Sequence, residues 1–258
     1  MASEQGWRKR LLERQQWVIF LLPYLLFMVV TSLEPTPDKP GGGSLGLAIP
    51  YDYYPLIYAI KIALVAVGVA FVWPGYRQFP FRLTLLGVLV GIVGGPLWIG
   101  LCHLDIEHVY LQPLLERINL GWLIGAGLRS GFNPFAQMAQ PPGLAWGFLI
   151  VRFAGLVLLV PLIEEFFLRG FVMRFVMDRD WWKIPFGQVN GLAIAIGTLL
   201  PMFAHPGELI AAAVWFSMIT WLMVRTRSIW DCVVAHAITN LILGLYVVLQ
   251  GGDAWRLM

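Results

Sequence analysis

Long apolar runs alternate with short polar breaks along almost the whole chain. They cover residues 17–32, 55–73, 83–101, 145–177, 187–204, 209–224 and 229–249. A helix crosses the hydrocarbon core of a bilayer with about 20 apolar residues, roughly 17 to 25 being tolerated. The pattern predicts an all-α fold, a polytopic membrane helix bundle of about seven (seven to eight) transmembrane helices. The fourth run exceeds one simple crossing and is expected to tilt, to kink at Pro161 or to emerge at its end. The first is expected to be retained, because no small-residue cleavage site follows it and Leu33-Glu34-Pro35-Thr36-Pro37 reads as a turn. A further helix near residues 119–128 would be glycine-rich, so that stretch is assigned to a long outer loop over 102–144. Residues 35–44, with glycines at 41–43, read as a flexible loop. No internal repeat is visible, which weighs against an inverted-repeat transporter.

Composition narrows the class. Of the residues 59% are apolar and 13% charged, against roughly a quarter charged in ordinary soluble domains. So few charges cannot cover a surface in water, which excludes a soluble enzyme, a disordered chain and a nucleic-acid module. The net charge of +3 comes from basic residues spread between apolar runs rather than massed on one face. The two cysteines, Cys102 and Cys232, form neither a disulfide framework nor a metal pattern. Basic residues mark the cytoplasmic side of membrane proteins. Arg8, Lys9, Arg10 and Arg14 precede the first run, Arg77 and Arg82 follow the second, Arg174, Arg179 and Lys183 follow the fourth, and Arg225 and Arg227 follow the sixth. The opposite connections hold Lys39, Arg117, Arg129 and Arg256. The amino terminus, residues 1–16, is therefore expected in the cytoplasm.

Polar groups inside the runs need a reason, since a charge at the bilayer centre costs about 2.5–3.5 kcal/mol even on lenient scales. Lys61, Arg152, Glu164, Glu165, Arg169, His205, His236 and Asn240 are such groups. In Glu164-Glu165-Phe-Phe-Leu-Arg169 the two carboxylates point about 100° apart on a helix and cannot share one role. Glu165 and Arg169, at i and i+4, can pair, which leaves Glu164 for acid–base work; the alternative is a buried ion pair that fixes helix packing. His236 and Asn240 share one helix face and suit donors aimed at an oxyanion, or an interhelical hydrogen bond. Ser228-Ile-Trp-Asp231 reads as a capping box that occupies Asp231 locally. His205 lies between Pro201 and Pro206 where the fifth run ends, and reads as interfacial or, if the helix breaks there, as turned inward. Span counting puts it nearer the outer face than Glu164, so the two meet only if that segment folds back or the fifth span is short. In the outer loop His103, Asp105, Glu107 and His108 are spaced for a metal or, more simply, for solvation. No His-Glu-x-x-His and no Gly-x-Ser-x-Gly elbow occurs, and Cys232 in an apolar run is a poor nucleophile despite His236 at i+4.

Three motifs in this order resemble the bacterial CAAX-protease-and-bacteriocin-processing (CPBP) family, relatives of the Ras-converting endopeptidase. Its pattern is Glu-Glu-x-x-x-Arg, then Phe-x-x-x-His, then His-x-x-x-Asn. Glu164, Glu165 and Arg169, followed by Gly170, match the first element and His236 and Asn240 the third. In the second, His205 is in place and Pro201 stands where the family has phenylalanine. The resemblance implies a catalytic helical core over residues 145–250, with residues 17–144 supplying amino-terminal membrane helices and the outer loop. It implies an intramembrane endopeptidase. Glu164 would take a proton from a water held with His205, His236 and Asn240 would stabilise the oxyanion, and Glu165 and Arg169 would brace the site. No cofactor is required on this reading, although Glu164, His205 and His236 could hold zinc. The expected partners are the lipid bilayer and a membrane-associated or exported protein cut near its carboxyl terminus, in a bacterial inner membrane. The three-span amino-terminal extension also resembles the branch that accompanies exosortase-type sorting systems. The competing readings are a proton-coupled transporter with Arg152, Glu164, His205 and His236 as relay, and a silent scaffold or immunity protein.

Overall fold

A computed structural model of the chain describes residues 2–36, 49–121, 131–138 and 141–258. Each apolar run is helical, and among the described residues there is no strand. The helices are α1 (Ala2–Arg14), α2 (Trp17–Thr31), α3 (Tyr54–Tyr76), α4 (Leu85–Leu104), α5 (Gln112–Glu116), α6 (Pro134–Gln137), α7 (Pro142–Phe175), α8 (Gly191–Phe203), α9 (Leu209–Thr226) and α10 (Ile229–Gln250). Among the described residues, five helical stretches are long and apolar enough to cross a membrane: Tyr51–Tyr76, Leu85–Glu116, Pro142–Phe175, Leu209–Thr226 and Ile229–Gln250. A sixth exists only if α2 is counted with α1, from which it is bent by 96°. The protein is a multi-pass helical membrane protein. The fifth apolar run forms α8, which has 13 residues and reaches only about 20 Å at 1.5 Å per residue. It is the shorter fifth span that the position of His205 called for.

Two sequence expectations change here. The outer loop does not begin at residue 102, because helix continues past Leu104 through a π turn at Glu107–Leu111 and α5 to Glu116. Residues 122–128 of the glycine-rich stretch and 37–44 of the proline-glycine loop lie outside the described residues. The kink at Pro161 takes the form of π-helical turns: α7 widens at Ala154–Leu159 and again at Phe166–Val172. Pro161 has no N–H to offer its helical acceptor four residues back, and a π turn is one way for a helix to absorb that loss. Glu164 and Glu165 stand on the short α-helical stretch between the two widenings.

The chain forms two compact units, Met1–Phe81 with Pro134–Phe171, and Arg82–Asn133 with Val172–Met258. In the first, α2 packs along α3 and α7 lies against both. Pro74 inside α3 leaves the Ala70 carbonyl without its usual donor, and Arg8 replaces it: Nη2 donates to Ala70 O at 2.7 Å and Nε to Phe71 O at 2.7 Å. That clamp holds α1 across the end of α3. Lys61, 3% exposed, is not alone in its span. Its Nζ stands 2.5 Å from Glu34 Oε1 and donates to Thr31 Oγ1, and the rings of Phe27 and Tyr58 lie 4.6 and 4.5 Å away.

In the second unit α4 and α10 run parallel in close contact. Gly91 and Gly94 permit it: a Cβ on Gly91 would lie 2.8 Å from Ala235 O, and one on Gly94 would overlap the Trp215 ring. Small residues let membrane helices approach until backbone touches backbone. Hydrogen bonds fix the pair at three levels. Asp231 accepts from Thr84 N (2.7 Å) and Oγ1 (3.0 Å), Thr239 Oγ1 donates to Gly91 O (3.1 Å), and His103 Nε2 lies 2.6 Å from Tyr246 Oη. Half of the capping box is as expected, since Ser228 Oγ accepts from Asp231 N. The Asp231 side chain crosses to the neighbouring helix instead of turning back. Asp231→Ala removes the buried acceptor of two part-buried hydrogen bonds, and hydrogen bonds to charged groups are each worth about 1.5–3 kcal/mol. The variant is expected to lose about 2–4 kcal/mol of stability, with a melting temperature lower by roughly 5–10 °C in a detergent thermal melt; Asp231→Asn loses less.

Candidate active site

The first motif belongs to the first unit. Glu165 and Arg169 are wholly buried and joined by Oε2 to Nη1 at 2.6 Å, so the pairing expected from their spacing is present. The intervening sequence explains the burial. Phe166 is packed among Tyr76, Phe20 and Phe79, with the Tyr76 ring centroid 3.9 Å away, and this anchors one face of α7. Glu164 points elsewhere and is half-buried. Phe167 stacks on Tyr24 of α2 with centroids 3.8 Å apart and planes 6° from parallel, and Glu164 acts electrostatically on that same tyrosine. The two adjacent carboxylates therefore have different surroundings, one locked in an ion pair and one beside a phenol. Arg152, one of the expected relay groups, sits against α3: its guanidinium lies 6.0 Å from the Tyr54 ring, and Tyr58 Oη donates to its carbonyl at 3.3 Å.

The other two motifs belong to the second unit. His205 follows the end of α8, and its Nδ1 is 2.8 Å from Pro201 O. A carbonyl can only accept, so Nδ1 is the donor of this bond. The imidazole is thus oriented by the backbone carbonyl four residues earlier, an acceptor that any residue at position 201 would supply. The ring stands edge-on to Trp98 of α4 (centroids 5.6 Å, 77°) and tilted to Phe216 of α9 (5.6 Å, 47°). His236, 5% exposed, meets the same Phe216 edge-on (6.3 Å, 89°) and Trp215 beside it (6.0 Å, 68°). Phe216 is thus a shared wall that brings the two imidazoles of separate motifs together. Asn240 follows one turn after His236 on α10 and is also buried. The Thr239 bond to Gly91 O fixes the rotation of α10 about its axis and so the face that carries both.

Trp98, Trp215 and Phe216 were invisible as site residues in the sequence, where an aromatic inside an apolar run reads as core. The loop cluster resolves differently from a metal site. His103 meets Tyr246, His108 Nδ1 donates to Asp105 Oδ1 at 2.6 Å, and Glu107 accepts from Ile210 N at 2.6 Å. The cluster splits into three separate contacts, only one of them between its own members, and among the described residues it forms no metal-holding group. Asp105 breaks the helix with φ 47°, which is why the spacing read from an unbroken helix does not hold.

Residues 145–242, less than half of the chain, match the family described as Rce1-like, the type II CAAX prenyl endopeptidase Rce1-like family. No curated protein and no solved structure matches the chain.

Proposed function

We infer, from the premise that residues 145–242 belong to the Rce1-like CAAX endopeptidase family, that the protein is an intramembrane endopeptidase whose chemistry is carried by Glu164, His205, His236 and Asn240. The observation that carries this reading is that the matched stretch contains all three motifs, each with a local geometry suited to its role. Glu164, on the stretch of α7 that the Glu165–Arg169 ion pair holds, accepts a proton from water. His205, protonated on Nδ1, offers Nε2 as an acceptor that holds and orients that water. The hydroxide attacks the scissile carbonyl, the tetrahedral oxyanion takes hydrogen bonds from His236 and Asn240, and Glu164 returns the proton to the leaving amine. Glu165 and Arg169 brace the stretch of α7 that presents Glu164.

A bound zinc ion would be held by Glu164, His205 and His236, and would supply Lewis-acid polarisation and a more acidic water. Among the described residues, however, no three His, Cys, Asp or Glu side chains are grouped so that they could hold a metal ion. The reading adopted here is metal-independent. Cleavage is expected to survive strong chelation with no more than about a twofold loss, where removal of a catalytic zinc would abolish it.

The substrate class proposed is a membrane-associated or exported protein cut near its carboxyl terminus, as in the branch that accompanies exosortase-type sorting. The setting is the bacterial inner membrane with the amino terminus in the cytoplasm. The test is cleavage of a panel of membrane-anchored peptide tails by the purified chain in proteoliposomes, with products located by mass spectrometry. No cleavage of any tail, together with a proton flux through the protein, would favour the relay reading.

A further inference from the structure

We propose that Glu107, which lies outside the family-matched stretch, is a positioning residue for His205: it caps α9 and thereby fixes the turn that carries the imidazole. This rests on the role given to His205 above.

The first N–H groups of a helix need outside acceptors. Glu208 occupies the N-cap of α9 and its side chain makes no capping bond there. The acceptor comes instead from the extension of α4, where Glu107 Oε1 receives Ile210 N at 2.6 Å. Glu107 is 3% exposed, and a carboxylate at a helix N-terminus is favoured by the helix dipole and by a charge-assisted bond. Its placement is built. Asp105 adopts the left-handed conformation, His108 holds its carboxylate, and the π turn that follows starts at Glu107.

Only four residues separate Ile210 from His205, and they have little freedom. Glu208 N donates to His205 O at 3.0 Å, Ala212 N to Glu208 O at 2.8 Å, and Pro206 has a fixed φ. Trp98, on the same run of helix as Glu107, packs on the imidazole itself. The stretch Leu85–Glu116, on either side of its turn at Asp105, therefore holds the His205 segment at two points, at the ring and at the far end of its turn.

The test uses the purified full chain and two readouts. Reacting groups misplaced by about 1 Å can cost about 100-fold in rate, so Glu107→Ala is expected to lower kcat about 10- to 100-fold while KM stays within about twofold. Glu107→Gln keeps an oxygen acceptor and is expected to retain kcat within about threefold. The second readout is independent of cleavage. The chain has four histidines, so 15N-histidine spectra, assigned with a His205 variant, report its tautomer. A single Nδ1–H form is expected in the wild type and in Glu107→Gln, and an exchanging mixture in Glu107→Ala. Should the alanine variant fail to fold, Glu107→Asp, one methylene shorter, is expected to give an intermediate kcat at unchanged KM. Unchanged kcat and tautomer in Glu107→Ala or Glu107→Asp overturns the proposal, as does a loss in Glu107→Gln equal to that in Glu107→Ala. If the wild type cleaves nothing, the proteolytic reading fails and the tautomer spectra alone decide the role of Glu107.

Discussion

Glu164→Gln is expected to lower peptide cleavage by about 10²–10⁴-fold, the usual contribution of a general base, with the fold and KM nearly unchanged. The substitution is close to isosteric and replaces a proton acceptor by an amide that cannot take a proton. Its stability cost is small because Glu164 is half-buried and beside the Tyr24–Phe167 stack rather than inside the ion pair. Single-turnover cleavage of a tail peptide in proteoliposomes, beside a thermal melt, reads both quantities. Cleavage by Glu164→Gln at the wild-type rate would remove Glu164 from the chemistry and with it the assignment of a glutamate-activated water.

Arg169→Ala is expected to be the most destabilising single change in the chain, at about 3–5 kcal/mol, because it leaves the Glu165 carboxylate buried without its cation. Both side chains have no exposure and meet at 2.6 Å, so neither solvent nor a surface counterion can compensate. Glu165→Ala is expected to cost a similar amount for the mirror reason. The double replacement Glu165→Leu with Arg169→Met separates folding from function. Well-packed apolar pairs often match or exceed a buried ion pair in stability, so the double variant should regain most of the melting temperature. If the pair braces Glu164, cleavage should nevertheless stay depressed by at least about tenfold, a loss of 1.4 kcal/mol at the transition state. Full recovery of cleavage in the double variant would reduce the pair to a packing element.

The features legible in the sequence are those that depend on spacing within one helix. The Glu165–Arg169 pair and the shared face of His236 and Asn240 follow from i, i+4 geometry, and the seven helices follow from apolar run length. What escaped depends on partners far apart in the chain. Lys61 finds Glu34 across a connection, so its burial could be inferred but not its counterion. Asp231 has a local explanation as a capping residue, yet its side chain satisfies Thr84, 147 positions earlier. The Asp105–His108 region looked like a solvated loop because its charges interrupt the apolar pattern; the structure folds it into a turn and renewed helix that runs on to Glu116 and buries the Glu107 carboxylate. Trp98 and Phe216 acquire meaning only once two histidines are found against them. The glycines of α4 are a related case, since a small residue announces close approach without naming the helix that approaches.

The bonds that join α4 to α10 near both ends and in the middle have a mechanical result. Thr84–Asp231, Gly91–Thr239 and His103–Tyr246 follow one another in the same order along two parallel rods, and the absent side chains at Gly91 and Gly94 leave no slack between them. A piston stroke of one rod past the other would break all three contacts at once. The two helices are therefore expected to shift as one body, so that no register change between them accompanies any motion of the second unit.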